Sequence, residues 1–250
     1  MSNTQEEHLQ SSEHLINSSS VVQSNWTRLL HSDYDIPCFT LARNLLGLHL
    51  CRRLDTGEIV KGIIVETECY PGGDDKASQS FGGKKTERNA PMYMSPGTAY
   101  VYLTYGMYFC FNISSQGPGA AVLIRAVEPL YGIQAMRKNR GESYRGKSNN
   151  VQKKKSFTAL NLCSGPSKLC MSYAIDKSLN KEDMVKSTKL WVERPLDSEF
   201  EYKNHAIVAC SRIGIDSVGQ EWSSKPFRFY IHGNPYVSRR DKKAEQAIFL

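Results

Sequence analysis

The sequence predicts an α+β fold, a single mixed domain around a curved, largely antiparallel β-sheet with flanking helices. Three observations predict this class: strand-like segments outnumber helical ones, they follow one another through short turns, and no internal repeat is visible. The 250 residues are enough for one sizeable domain. A content of 40% hydrophobic and 23% charged residues is typical of a globular protein.

The first elements are a tail, a helix and a hairpin. Residues 1–33 are rich in Ser, Gln, Asn and Glu without sustained periodicity, so we predict a disordered tail there, followed by the folded domain over residues 34–250. Apolar residues at helical spacing from Leu41, with Gly47 as a stop signal, predict a helix. Two apolar runs separated by Asp55–Gly57 predict a β-hairpin.

The remaining elements follow the same logic. A second hairpin is predicted with Tyr105–Gly106 at its tip, and the apolar run 119–130 predicts a buried strand. The basic segment of about 138–157 is predicted to be a flexible loop. A helix is expected to begin after Gly165-Pro166, since proline favours the first helical position. Two strand-like segments, in 206–215 and 226–233, complete the domain.

Charge and cysteine content narrow the class of protein. The 32 basic and 25 acidic residues give a net charge of +7, which favours a polyanionic partner. The 7 cysteines include no CxxC pair, so we expect small core residues of a reduced, intracellular protein rather than a zinc site. The N-terminal residues lack the apolar core of a secretory signal and the arginines of a mitochondrial transit peptide.

An apolar strand of the first hairpin carries two acids. Alternation predicts that Ile64, Glu66, Glu68 and Tyr70 share one face of this strand. Arg125 interrupts another apolar strand, where a guanidinium needs an acidic partner or a polar cavity. Two interpretations stay open here: a structural Arg–Glu pair, or an arginine and a carboxylate that together hold a water. Spacing does not choose between the two acids.

The second hairpin is rich in tyrosine. Tyr100 and Tyr102 share a strand face. The alternative interpretation of this hairpin is an aromatic core layer, which suits Phe109 and Phe111 best. Tyr105, at the predicted tip, has less reason to be core and could wedge into a stack of bases. Tyr70 and Tyr102 could then enclose a purine ring, since stacking on an aromatic side chain stabilises a base by roughly 1–3 kcal/mol.

Four segments carry a resemblance to a known family. They are "VETECY", "GTAYVYLTYGMYFCFNISSQG", "VLIRAVEPL" and "LCSGPSKLC", and they closely resemble the alkyladenine (3-methyladenine) DNA glycosylase family, in the same order from about Leu41 to about Arg239. The resemblance implies a monofunctional glycosylase of base excision repair that flips damaged purines out of duplex DNA. The implied lesions are 3-methyladenine, 7-methylguanine and hypoxanthine, with ethenoadenine as an open case. The bond from purine to sugar is hydrolysed by a carboxylate-activated water, which leaves an abasic site.

The resemblance also implies the residues that act on the substrate. Glu68 is the expected general base, and Arg125 and the backbone carbonyl of Ile213 are expected to hold the attacking water. The base pocket is expected to comprise Tyr70 and Tyr102, with Asn112 as a gate against the amino group of guanine. The residues expected to contact the DNA are the wedge Tyr105 and the phosphate ligands Lys84, Thr86 and Lys168.

Further expectations concern cofactors, assembly and location. No cofactor or metal is expected, because water, a carboxylate and a stacking pocket suffice for the reaction. The expected partner is damaged double-stranded DNA, and no membrane association is expected. We expect the protein to be a monomer and to be located in the nucleus, and a mitochondrial pool is left open.

One residue departs from the family pattern. Gln79 stands where the family usually has a histidine that contributes to the base pocket. Glutamine offers a donor and an acceptor but does not titrate. The substitution is either tolerated with a modest effect on rate, or it narrows the lesion spectrum and weakens excision of ethenoadenine.

Other functions share part of this pattern. A relative that binds lesions without cleaving them would keep every feature except the chemistry, and an RNA-binding module would also use tyrosines and a basic surface. A zinc-dependent base deaminase is disfavoured, because the H-x-E and P-C-x-x-C motifs are missing. A glycosylase that also nicks the backbone would need an amine nucleophile, and the pocket motifs show no lysine suited to that role.

Overall fold

The protein folds around a curved, largely antiparallel sheet with helices packed against it, which confirms the predicted α+β class. The computed structural model describes residues 26–145, 157–196 and 205–248. The strands in these ranges are β1 Trp26–Arg28, β2 His49–Arg53, β3 Ile59–Tyr70, β4 Ala99–Thr104, β5 Tyr108–Ser114, β6 Ala121–Tyr131, β7 Leu190–Pro195, β8 Ile207–Cys210 and β9 Arg228–Ile231. The sheet order is β1-β7-β2-β3-β6-β5-β4, and β9 pairs with both β3 and β8.

The helices are short and lie between or beside the strands. They are α1 His31–Tyr34, α2 Cys38–Asn44, α3 Ile133–Arg145, α4 Ala159–Leu162, α5 Pro166–Ser172, α6 Gln220–Ser223 and α7 Lys242–Ala247. Single 3₁₀ turns occur at Phe81–Gly83, Ala90–Tyr93, Lys177–Leu179 and Asp216–Val218. None of the helices in the described part of the chain combines the length and the apolar composition that a membrane span requires.

The two predicted hairpins are present. Gly57, in the turn between β2 and β3, has a φ of 86°, a conformation that glycine adopts without steric cost. Tyr105 and Gly106, in the turn between β4 and β5, have φ values of 50° and 66°. Positive φ is uncommon for a tyrosine, and here it places the side chain at the outermost point of the hairpin, 86% exposed.

The core covers both faces of β3. On one face, Ile64 and Cys69 belong to the main apolar cluster together with Leu41 and Leu45, which α2 and the residue after it contribute. On the other face, Val65 belongs to a smaller cluster formed mainly with residues of β8 and β9. β3 is therefore buried on both sides along most of its length, which explains its nearly continuous apolar sequence.

The pairing of β3 with β6 shifts in register three times, once between Lys61 and Gly62 and twice at two neighbouring β-bulges around Glu66. Between Ile64 and Glu66 the partner on β6 moves by one residue only, so Val65 is an extra residue in β3. Between Glu66 and Thr67 the partner moves by two residues, so Arg125 is an extra residue in β6. Bulges of this kind change the direction of a side chain and are frequent beside active sites.

The first bulge corrects the predicted alternation of β3. Ile64 packs beneath α2, and beyond the bulge Thr67 is on that same side, where its hydroxyl donates to the carbonyl of Ala42 at 2.7 Å. Glu66 and Glu68 take the opposite side. The prediction that Ile64 shares a face with the two acids is wrong, because the extra residue reverses the alternation between them.

Two segments differ from their sequence-based description. The last residues of the predicted disordered tail are structured, since β1 pairs with β7 and α1 begins at His31, while residues 1–25 lie outside the described residues. The predicted basic loop of about 138–157 begins within α3, which continues to Arg145, and residues 146–156 lie outside the described residues.

Candidate active site

A pocket opens between the hairpin β4–β5, the loop that follows β3 and the loop that follows β8. Its volume is about 380 Å³, within the range of ordinary small-molecule sites. The side chains that line it include most of the residues singled out in the sequence: Tyr70, Gln79, Tyr102, Tyr105, Asn112, Arg125 and Ile213. Chain segments that are far apart in sequence therefore converge on one cavity.

Glu68 lies directly behind this lining and is fully buried. The hydroxyl of Tyr70 donates to its Oε2 at 2.8 Å, and the amide of Ile213 donates to its Oε1 at 2.8 Å. The Nη1 of Arg125 lies 3.1 Å from the same Oε1. All three partners of the carboxylate line the pocket, so Glu68 is at the base of the cavity and is held from three sides.

Burial and the neighbouring carboxylates together shift the pKa values of Arg125 and Tyr70. Burial opposes the charge of Arg125, but Glu68 and Glu66 outweigh it and raise the pKa of Arg125 above its ordinary value. Burial, together with the negative charge of Glu68, raises the pKa of Tyr70 well above its ordinary value. Arg125 is therefore a permanent cation, and Tyr70 is a neutral phenol that donates its proton to the carboxylate.

Glu66 has a different set of partners. Its Oε1 contacts the Nε of Arg125 at 3.1 Å and the Nη1 of Arg228 at 2.9 Å. Its Oε2 accepts from the backbone amide of Ser238 at 2.7 Å. Protein donors occupy both oxygens, and Glu66 is fully buried. Arg125 is therefore an ion-pair partner of Glu66 and also contacts Glu68 at the pocket, and its role in holding a water stays a prediction.

The aromatic walls of the pocket are each backed by an arginine. The guanidinium of Arg212 lies 4.7 Å from the ring centroid of Tyr70, and that of Arg88 lies 5.1 Å from the ring centroid of Tyr102. The ring of Tyr100 is 5.0 Å from that of Tyr102. Burial raises the pKa of Tyr102, so this side chain is also a neutral phenol.

Arg212 also joins two walls of the pocket. It forms a bidentate ion pair with Asp75, at 2.6 and 2.7 Å, and both side chains are fully buried. Asp75 belongs to the loop that carries Gln79, and Arg212 directly precedes Ile213. Sequence analysis missed this pair, although an arginine inside an apolar run was a usable signal, as it was for Arg125.

The loop that carries Gln79 is organised by Asn89, which sequence analysis also missed. The Nδ2 of this buried side chain donates to the carbonyls of Gln79 and Lys84, each at 2.9 Å. Its Oδ1 accepts from the amide of Thr86 at 2.7 Å. Lys84 and Thr86 are exposed on the same loop as Gln79.

Two further predicted site residues, Asn112 and Lys168, differ in their relation to the pocket, because only Asn112 lines it. Asn112 is buried, and its Nδ2 donates to the carbonyl of Tyr100 at 3.2 Å, which fixes the orientation of its amide. Lys168 is on α5, whose first residues Pro166 and Ser167 line the pocket. The Nζ of Lys168 donates to the hydroxyl of Ser164 at 3.3 Å.

This arrangement defines a class of site. Aromatic walls accept a flat ring, and a buried carboxylate paired with an arginine at the base is suited to activate water for hydrolysis. The methylpurine-DNA glycosylase family model matches residues 32–235. The chain belongs to this family, which places it among hydrolases of N-glycosidic bonds and confirms the predicted resemblance.

Curated relatives agree with this assignment. The chain is 48% identical over 220 residues to the DNA-3-methyladenine glycosylase of Homo sapiens, which covers 88% of this chain and 71% of that protein. It is 49% identical over 217 residues to the mouse protein of the same name, covering 85% of this chain and 62% of that protein. A probable DNA-3-methyladenine glycosylase of Encephalitozoon cuniculi is 47% identical over 207 residues, which covers 82% of this chain and 90% of that protein.

Proposed function

We propose that this protein is a monofunctional DNA glycosylase of base excision repair, which flips alkylated or deaminated purines out of duplex DNA and hydrolyses their N-glycosidic bond. One observation carries the proposal: the carboxylate of Glu68 lies behind a tyrosine-walled pocket and is held there by Tyr70, Ile213 and Arg125. The names of the human and mouse relatives support 3-methyladenine as one substrate.

The chemistry follows from the charge that develops in the reaction. Departure of a purine builds positive charge on the sugar, which a carboxylate stabilises. Glu68 acts both as this counter-charge and as the base that deprotonates the attacking water, a role that contributes about 10²–10⁴-fold in rate. Arg125 orients the water, and the carbonyl of Ile213 accepts a hydrogen bond from the O–H of the water that Glu68 does not deprotonate. Both residues line the cavity.

The pocket walls account for the substrate class. Tyr70 and Tyr102 stack on the flipped base, and a cationic methylated purine gains additional cation–π attraction. Neutral lesions such as hypoxanthine rely more on the remaining contacts of the pocket. Asn112, whose amide is fixed by the carbonyl of Tyr100, faces the cavity and disfavours the amino group of guanine.

The surface around the pocket is suited to DNA. Tyr105 is 86% exposed at the hairpin tip and fills the space that the flipped nucleotide leaves. The proposed phosphate ligands are Lys84, Thr86 and Lys168, and the net charge of +7 favours the same partner. We also propose that the protein acts as a monomer and in the nucleus, in keeping with a repair function.

The test is base release from duplex oligonucleotides that contain one lesion each, under single-turnover conditions. Wild type is expected to release 3-methyladenine, 7-methylguanine and hypoxanthine, and to leave an abasic site without nicking the strand. Glu68→Gln is expected to bind the same duplexes and to lose about 10²–10⁴-fold in rate. Equal release by both proteins would exclude Glu68 as the base. Binding without base release by wild type would indicate a relative that recognises lesions without cleaving them. Preference for RNA over damaged DNA in competition would indicate an RNA-binding module.

The lesion spectrum is proposed to depend on Gln79. Its side chain lines the pocket, while its carbonyl is held by Asn89, so the side chain can change without loss of the loop. Gln79→His is expected to raise excision of ethenoadenine relative to hypoxanthine several-fold, measured in the same assay. Gln79→Ala is the control that separates loss of the amide from gain of the imidazole. An unchanged spectrum in Gln79→His would show that the glutamine is simply tolerated.

A further inference from the structure

The two tyrosine walls differ in the charge that lies next to them. Both Arg212 and Arg88 place a guanidinium over a tyrosine ring, and neither arginine lines the pocket. A base stacked on Tyr70 or Tyr102 would therefore have a cation close to the ring that it contacts.

Only one of these cations is neutralised by an acid. Arg212 is locked to Asp75 by two short hydrogen bonds, so the pair as a whole carries no net charge. Arg88 donates from Nη2 to the backbone carbonyl of Leu103 at 2.8 Å, and it forms no ion pair within residues 26–145, 157–196 and 205–248. Of the two rings, Tyr102 alone therefore has a net positive charge next to it.

A cation next to an aromatic ring acts in two ways on a base stacked on that ring. It draws π-electron density away from the open face, which weakens the attraction of that face for a second cation. It also repels a cationic base directly, and the solvent around the exposed Arg88 reduces this repulsion without abolishing it. A neutral base experiences neither penalty.

The same charge acts on the departing base. Cleavage moves the bonding electron pair onto the purine, so a cationic purine leaves as a neutral molecule and a neutral purine leaves with developing negative charge. A positive charge next to Tyr102 favours this shift in both cases. For a neutral lesion it stabilises the transition state, whereas for a cationic lesion it mainly weakens the bound ground state.

We propose that Arg88 is a specificity-determining residue that acts through Tyr102, and that its unpaired charge lowers the preference of the pocket for cationic N-alkylated purines over neutral deaminated ones. This inference rests on the proposed function. Arg88 does not touch the substrate, so we do not expect its removal to lower activity in general. We expect substrate binding and the rate of cleavage to change differently for cationic and neutral lesions.

The experiment compares 7-methylguanine, a cationic lesion, with hypoxanthine, a neutral one, in otherwise identical duplexes. Arg88→Gln is expected to raise the ratio of kcat/KM for 7-methylguanine over hypoxanthine by about threefold to tenfold. The lower KM for 7-methylguanine and the lower single-turnover rate for hypoxanthine should both contribute. Arg88→Lys keeps a cation in this position and is expected to return the ratio to within about twofold of wild type.

A matched control is available on the same loop. Lys85 places its ammonium 5.3 Å from the ring centroid of Tyr93, which does not line the pocket. Lys85→Gln removes the same charge from the DNA-facing surface and is expected to change both lesions equally. Arg88 is exposed, so Arg88→Gln is expected to retain the wild-type melting temperature.

The outcomes separate this inference from the proposed function. An unchanged ratio in Arg88→Gln, the same shift in Lys85→Gln, or no rescue by Arg88→Lys would overturn the role of Arg88 while base release by wild type upholds the proposed function. Absence of release by wild type from either lesion would overturn the proposed function itself.

Discussion

Glu66 and Glu68 are two residues apart on β3, both are fully buried, and both contact Arg125, yet their surroundings differ. Glu66 is enclosed by a second arginine, Arg228, and by a backbone amide at Ser238. Every partner of Glu68 lines the pocket. The location of the partners, and not the residue type or its spacing, therefore separates the enclosed carboxylate of Glu66 from the carboxylate of Glu68 at the pocket.

Charge balance explains why both acids tolerate burial. An isolated buried carboxylate is strongly destabilising, and a buried ion pair is tolerated only when its remaining polar atoms are also satisfied. Arg125 contacts both acids, and Arg228 supplies the second positive charge. Glu66 therefore helps to hold the arginine that contacts Glu68.

The largest effect that would sharpen this comparison is on stability. Glu66→Gln leaves Arg125 and Arg228 with one carboxylate too few, so we expect the free energy of unfolding to fall by about 3–5 kcal/mol, measured by urea denaturation. Glu182→Gln removes the acid of the exposed Lys189 pair and is the control, with an expected loss of no more than about 1 kcal/mol.

The same variant also tests the division of roles. Where Glu66→Gln is folded, base release should stay within about tenfold of wild type, well above the rate of Glu68→Gln. If the folded variant lost as much rate as Glu68→Gln, the two acids would have to be treated as one catalytic unit.

A smaller effect is expected at Tyr70. Tyr70→Phe keeps the ring in the wall but removes the hydroxyl that donates to Oε2 of Glu68. We expect a loss of roughly 10- to 150-fold in the single-turnover rate, equal for cationic and neutral lesions, since a hydrogen bond to a charged group contributes about 1.5–3 kcal/mol. Tyr236→Phe, which packs against the smaller apolar cluster, controls for loss of a hydroxyl. A rate unchanged in Tyr70→Phe would show that Ile213 and Arg125 suffice to orient Glu68.

Local patterns predicted those parts of the molecule that depend on neighbours in sequence. Turn chemistry and apolar runs were sufficient for both hairpins, including the position of Tyr105 at a tip. The bulges were beyond this reasoning, because an extra residue becomes visible only when the partner strand is known. Ile64 was consequently assigned to the wrong face.

The site residues show the same boundary. Spacing could not choose between Glu66 and Glu68, since most of the contacts that distinguish them come from residues far along the chain. Arg228 and Ser238, which contact Glu66, lie 162 and 172 positions after it. Ile213, which contacts Glu68, lies 145 positions after it. Only the resemblance to a family selected Glu68. The pair Asp75 and Arg212 was missed for a related reason, because its members are 137 residues apart and neither belongs to a recognised motif.

The two bulges also have a consequence for chain length at this point. The surplus residue of β3, Val65, is offset by that of β6, Arg125, so pairing resumes at Thr67 in the register it had at Ile64. Deleting one residue from either strand would displace every pair from there to the pocket mouth and rotate Tyr70 out of the cavity wall. Deleting one residue from each strand would restore the regular pairing, but it would also remove the bulge position from which the guanidinium of Arg125 contacts both acids.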